Sequence, residues 1–128
     1  MHKQTILIDF DGVLHDYHGN EELAGPIEKS RHALHILEKT YRLVCFTTRN
    51  APIVKRWLEH YGFPEMKVTN VKEPAFLIID DRALTFPGEW SEGFLMQVNS
   101  FKPHWEEISG DSPSDPSNPS DVVSPPTA

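Results

Sequence analysis

Two carboxylates, Asp9 and Asp11, lie two residues apart after a short apolar run in the segment TILIDFDGVL. On an extended strand, side chains two residues apart point to the same face, with about 7 Å of backbone rise between them. Carboxylates this close repel unless they bind a cation or share a proton. The pair therefore indicates a metal or proton-transfer site. The alternative is that Asp11-Gly12 only forms a turn after the strand.

Two further apolar runs also end in polar residues. Residues 43–49 read LVCFTTR, and residues 76–82 read FLIIDDR. Together with residues 6–8, these short runs without polar alternation predict three buried parallel strands. The carboxyl ends of parallel strands meet at one edge of a sheet, so we expect acids, hydroxyls and cations to gather there, with Lys72 within reach. Acids, a metal and a lysine together are typical of a phosphoryl site.

Helical patterns separate these strands. Residues 26–41 predict a helix with Pro26 in its first turn, and residues 50–62 predict a second one with Asn50 as N-cap. We also predict a short strand over residues 66–71, a terminal strand over 94–98 and a helical turn or two over 103–108. Strands alternating with helices predict an α/β, Rossmann-like three-layer fold with a mostly parallel central sheet.

Length and composition favour one domain. The 128 residues are 38% hydrophobic, enough for one core over residues 1–108. Residues 109–128 are dominated by Ser, Pro and Asp and are predicted to be disordered. The net charge of -7 falls to about -4 without the tail's three aspartates, which argues against an extended nucleic-acid footprint. A single strand end remains open as a ligand.

The chain carries features of a cytoplasmic protein. Cys45 is the lone cysteine, so no intramolecular disulfide forms, and the N-terminus does not resemble a signal peptide. The apolar runs are far shorter than a membrane span, so we expect no membrane partner.

Four motifs in order resemble those of the haloacid dehalogenase-like (HAD) hydrolase superfamily: DFDGVL, TTR, KEP and IDDR, over about residues 5–98. The segment IDDRAL is also similar to small capless members and to the phosphatase part of polynucleotide kinase-phosphatases. The resemblance implies a phosphomonoester hydrolase with an aspartyl-phosphate intermediate. Its substrate is unknown, and a nucleotide or oligonucleotide 3'-phosphate is one candidate. The alternatives are a phosphotransferase or mutase on the same site, or a non-catalytic metal-binding interaction module.

The resemblance also implies a role for each acid. Asp9 attacks phosphorus, while Asp11 protonates the leaving alcohol and then deprotonates the attacking water. Mg²⁺ suits such an oxygen-rich site, with ligands from Asp9, the main-chain carbonyl of Asp11 and one of Asp80 and Asp81. Asp81 is preferred over Asp80.

The resemblance implies phosphate-binding groups as well: Gly12, Thr47, Thr48 and Lys72. Lys72 lies eight positions before Asp80, where many family members insert a whole helix, and Lys67 is the alternative lysine.

The chain leaves no room for a cap domain. Residues 12–26 suffice only for a small flap, and residues 72–75 leave no space before the third strand. We therefore expect an open site. Its partner would be a phosphorylated substrate, either a small molecule or the phosphorylated end of a larger one.

Several other residues have two interpretations. His15 and His18, with Asp16 nearby, could bind a metal or contact the substrate. Arg49 and Arg82 could bind the substrate or form ordinary surface ion pairs.

Cys45 lies inside an apolar strand and is interpreted as a small core residue. The three tryptophans are interpreted as packing residues before base-stacking ones; they are Trp57, Trp90 and Trp105.

Overall fold

The computed structural model describes residues 2–109, which fall into two compact units, residues 2–81 and residues 82–109. The predicted disorder of the tail lies outside the described residues, except at Ser109, which ends the last helix. The domain boundary predicted at residue 108 stays a prediction.

The first unit contains a sheet of four parallel strands. They are β1 (Thr5–Asp9), β2 (Arg42–Phe46), β3 (Lys67–Thr69) and β4 (Leu77–Ile79), in the spatial order β3-β2-β1-β4. In the register, Asp9 lies opposite Phe46, and Phe46 lies opposite Thr69. The carboxyl ends of β1, β2 and β3 are therefore level, and the predicted Rossmann-like α/β fold is confirmed.

Two helices of this unit connect the first three strands. In α2 (Ala51–His60), the Ile53 N–H donates to the Asn50 side chain, as the predicted N-cap requires. However, α1 spans only Ser30–Leu37, so Pro26 lies outside the helix, contrary to the prediction. The reason is that residues 26 and 27 pair with residues 14 and 15. This pairing holds the chain extended at Pro26.

The core of the first unit lies where β1 and β2 meet the helices. One cluster joins Ile8 and Cys45 from the sheet to Leu34 of α1 and to Val54 and Trp57 of α2. Cys45 is fully buried, which confirms its interpretation as a core residue. Among the described residues, the chain forms no helix and no strand of a sheet between β1 and α1 or between β3 and β4. Neither position therefore carries a cap domain.

Strand β4 differs from the prediction of a buried strand. Residues 77–79 are 37–40% exposed and Phe76 is 54% exposed, whereas Leu7 in β1 is fully buried. β4 lies at the edge of the sheet, and its described strand partner is β1 alone. An apolar run has the same sequence whether it lies at the edge or at the centre of a sheet, so composition did not separate the two cases.

The second unit contains α3 (Glu92–Asn99) and α4 (His104–Ser109), and α4 confirms the predicted helical turns. The strand predicted over residues 94–98 is wrong, because Ser91 caps a helix there by accepting from the Phe94 N–H. Trp105 is buried as predicted, whereas Trp90 is 72% exposed. Among residues 2–109, no helix has the length and apolar character needed to cross a membrane.

Candidate functional site

Three carboxylates meet at the carboxyl edge of the sheet. Asp9 ends β1, and Asp80 and Asp81 directly follow β4. Because Ile8 lies opposite Ile79, these strand ends are level. One oxygen from each carboxylate lies within 4.8 Å of the others, and all three residues are half-buried. Within residues 2–109, no other group of His, Cys, Asp and Glu side chains has a geometry that could hold a metal ion.

The electrostatics of this acidic cluster (Asp9, Asp80 and Asp81) favour a cation. Burial raises the pKa of Asp9 to about 8, and a hydrogen bond with Asp81 and the charges of Asp80 and Asp81 act in the same direction. A hydrogen bond from the Phe10 backbone opposes them. The cluster therefore favours a bound cation, either a proton or a metal ion. Three carboxylate oxygens are the donor set of a hard divalent cation.

Asp11 has different partners, although only one residue separates it from Asp9. The Arg49 Nε–H lies 3.0 and 2.8 Å from the two Asp11 carboxylate oxygens, and His15 Nδ1 lies 2.8 Å from Oδ1. The Asp11 carboxylate is therefore held by basic groups, and it does not belong to the acidic cluster. Gly12, with φ of 84°, turns the chain back directly after Asp11. This turn brings His15 against Asp11.

Arg49 connects the end of β2 to the flap (residues 12–26). Besides holding Asp11, its Nη1 donates to the Glu21 carbonyl oxygen at 3.0 Å. Thr47 is buried, and its hydroxyl accepts from the Arg49 backbone N–H at 3.1 Å. Thr48 is exposed. The predicted phosphate-binding roles of Gly12, Thr47 and Thr48 stay predictions.

The two histidines of the flap lie in different surroundings. His15 is fully buried, and both of its ring nitrogens bind protein groups. His18 and Asp16 are exposed and pair with each other at 3.3 Å. The structure therefore does not bring His15, His18 and Asp16 together as metal ligands.

Lys72 is exposed and makes no ion pair with any residue between 2 and 109. Its neighbour Glu73 binds Lys67 and Arg42, and these cations lower the pKa of Glu73, Lys67 most of all. Lys67, the alternative lysine, is therefore paired with an acid outside the acidic cluster. A phosphate-binding role for Lys72 stays a prediction.

Arg82 belongs to the second unit, where its guanidinium lies 4.8 Å from the centre of the Trp105 ring.

The contact between His15 and Asp11 was missed from the sequence. The spacing of four residues was visible, but in a loop it predicts a contact only once the turn at Gly12 is known.

The fold and the site together define an α/β Rossmann-like protein. The carboxyl edge of its parallel sheet carries an acidic cluster with a geometry that could hold a metal ion. A solved structure of a conserved protein from Bacteroides thetaiotaomicron is similar, with a TM-score of 0.55 and 22% sequence identity. The match covers 85% of this chain and 99% of that one. At 22% sequence identity, this similarity supports the fold alone. No protein-family model and no curated protein matches the chain.

Proposed function

We propose that the protein is a Mg²⁺-dependent phosphomonoester hydrolase that acts through an aspartyl-phosphate on Asp9. The observation that carries this proposal is the acidic cluster at the carboxyl edge of a parallel sheet, with Asp11 held separately by basic groups. A nucleophile beside a metal and an acid-base residue outside the metal site are what phosphoryl transfer to a carboxylate requires. The order of the four sequence motifs supports the same reaction.

The acidic cluster fits Mg²⁺ by its donors alone. Asp9 and one or both of Asp80 and Asp81 would hold the ion through carboxylate oxygens. When bound, the ion supplies positive charge that keeps Asp9 ionised and offsets the charge of the phosphoryl group.

The two aspartates then divide the chemistry. An Asp9 oxygen forms a bond to phosphorus as the bond between phosphorus and the ester oxygen breaks, and the leaving alkoxide takes a proton from Asp11. In the second step, the oxygen of a water molecule bonds to phosphorus and the bond to Asp9 breaks. The water's proton passes to Asp11, which restores its starting state.

The absence of a cap domain points to the class of substrate. The described chain places only the flap between β1 and α1, which is too small to enclose a metabolite. We therefore favour the phosphorylated end of a larger molecule, with a 3'-phosphorylated oligonucleotide as the first candidate. Specificity constants for that oligonucleotide, a phosphopeptide, mononucleotides and sugar phosphates test this preference.

A non-catalytic metal-binding module is the second candidate. One observation favours it: Lys72 makes no ion pair with the described residues, so the catalytic lysine of the resemblance is not seen at the acids. A protein that binds Mg²⁺ and hydrolyses none of these phosphates would support the module.

Substitution of Asp9 tests the proposed reaction directly. Asp9→Asn is expected to abolish Mg²⁺-dependent hydrolysis of 4-nitrophenyl phosphate, because an amide is a poor nucleophile and a weaker metal ligand. The matched control is Asp16→Asn, an exposed aspartate of the flap, which is expected to keep the wild-type rate. Full activity in Asp9→Asn would contradict the mechanism.

A further inference from the structure

The side chain of His15 is fixed from several directions. It is fully buried, and its ring stacks on Phe10 with the ring centres 5.3 Å apart and the planes 7° from parallel. The ring of Trp57 meets it edge-on at 5.9 Å. The Ala24 N–H donates to its Nε2 at 2.8 Å. A ring held in this way has a single orientation toward Asp11.

These contacts also define which nitrogen of His15 carries the proton. A backbone N–H can only donate, so Nε2 of His15 must be the unprotonated acceptor of the Ala24 bond. The single proton of the neutral ring then lies on Nδ1, which faces Oδ1 of Asp11 at 2.8 Å. His15 therefore donates to Asp11.

The two oxygens of Asp11 become different as a result. Oδ1 accepts from His15 and also shares the single Nε–H of Arg49 with Oδ2, so two donors face it. Oδ2 accepts from Arg49 alone and keeps one lone pair free. A proton on Asp11 is therefore carried by Oδ2.

We infer that His15 is a positioning residue for Asp11: its Nδ1–H occupies Oδ1 and leaves Oδ2 as the oxygen that gives and takes the proton. This inference rests on the proposed hydrolase function. In the first step the Oδ2 proton moves to the leaving alkoxide, and in the second step Oδ2 accepts the proton of the attacking water. His15 itself exchanges no proton and touches no substrate.

The kinetic test uses the dependence of the rate on the leaving group. His15→Phe keeps an aromatic ring beside Phe10 but removes the hydrogen-bond donor, so general acid catalysis weakens. The rate falls most for the substrate whose leaving phenolate most needs a proton. We expect kcat/KM to fall about tenfold for phenyl phosphate and less than about twofold for 4-nitrophenyl phosphate. His15→Asn keeps an N–H donor near the Nδ1 position and is expected to recover most of the loss. His32→Phe, at an exposed histidine of α1, is the matched control.

A second measurement does not depend on activity or on a variant that folds poorly. Nitrogen NMR of the wild-type histidine rings is expected to show His15 as the Nδ1–H tautomer.

The outcomes separate the inference from the proposed function. If the wild type is active, an equal loss of kcat/KM on both substrates in His15→Phe would overturn the inference alone. An Nε2–H tautomer of His15 in an active wild type would do the same. A wild type that hydrolyses no phosphomonoester would overturn the proposed function, and the positioning role of His15 with it.

Discussion

At the scale of single residues, Asp9 and Asp11 occupy opposite electrostatic surroundings. Asp9 lies among acids, and Asp11 lies between Arg49 and His15. The sequence predicted the acids of the cluster, because strand ends of a parallel sheet must meet. It did not predict the partners of Asp11, because these depend on the course of a loop that has no periodicity.

The raised pKa of Asp9 predicts how metal binding depends on pH. In the folded protein the pKa of Asp9 is raised from 3.8 to about 8. Its proton therefore stabilises the metal-free fold fully below about pH 4, and this contribution is lost as the pH rises through about 8. Since Mg²⁺ competes with that proton, we expect Mg²⁺ to raise the Tm more at pH 8.5 than at pH 6.

Thermal unfolding with Mg²⁺ or with EDTA at the two pH values measures this effect. Asp9→Asn should remove most of the difference, whereas the exposed Asp16→Asn should keep it. An equal increase in Tm at both pH values in the wild type would contradict a competition between Mg²⁺ and the proton of Asp9.

The burial of Cys45 predicts that its thiol reacts slowly in the native protein. The thiol is fully buried, and burial raises its pKa to about 12, with smaller contributions from the charges of Asp9 and Asp11. The reactive thiolate is therefore scarce and inaccessible. We expect iodoacetamide to label the native protein at pH 8 far more slowly than the denatured protein, as followed by mass spectrometry. Equal labelling rates would show that the core around β2 opens readily.

At the scale of elements, capping and proline signals in the sequence predicted where a helix starts, provided that no pairing with another part of the chain opposed them. Asn50 and Pro52 mark the start of α2 in the sequence, and the structure agrees. Pro26 carries a similar signal but pairs with His15, so α1 starts four residues later, at Ser30. Residues 94–98, which are apolar except for Gln97, suit a strand or a helix, and the cap at Ser91 favours the helix.

The N-cap of α2 gives a prediction about stability. Asn50→Ala removes the acceptor of the Ile53 N–H and is expected to lower the free energy of unfolding by about 1 kcal/mol. Asn70→Ala, at an exposed asparagine outside the helices, is the matched control and should change stability by less than about 0.5 kcal/mol. Urea unfolding followed by circular dichroism measures both variants. Equal effects would show that the cap does not stabilise α2.

At the scale of the whole molecule, the alternation of strands and helices was enough to predict an α/β fold with parallel strands. The exposure of β4 was not predictable, because apolar composition says nothing about which strand lies at the edge. The overall charge of -7 is consistent with a chain whose candidate site is itself acidic. A metal ion at that site would reduce the local repulsion that an anionic phosphate meets.

The flap is tied to the Asp11 carboxylate through His15 and Arg49. Its Ala24 is held through the N–H by His15 and through the carbonyl by Trp57, and Arg49 holds the Glu21 carbonyl. The bond between Ala24 and His15 lies within the flap, whereas the bonds from Trp57 and Arg49 join the flap to the rest of the unit. At about 1 kcal/mol for each, these two side-chain bonds contribute about 2 kcal/mol to its closed position. Because Arg49 also binds Asp11, a displacement of the flap at Glu21 would also disturb the hydrogen bonds of that carboxylate.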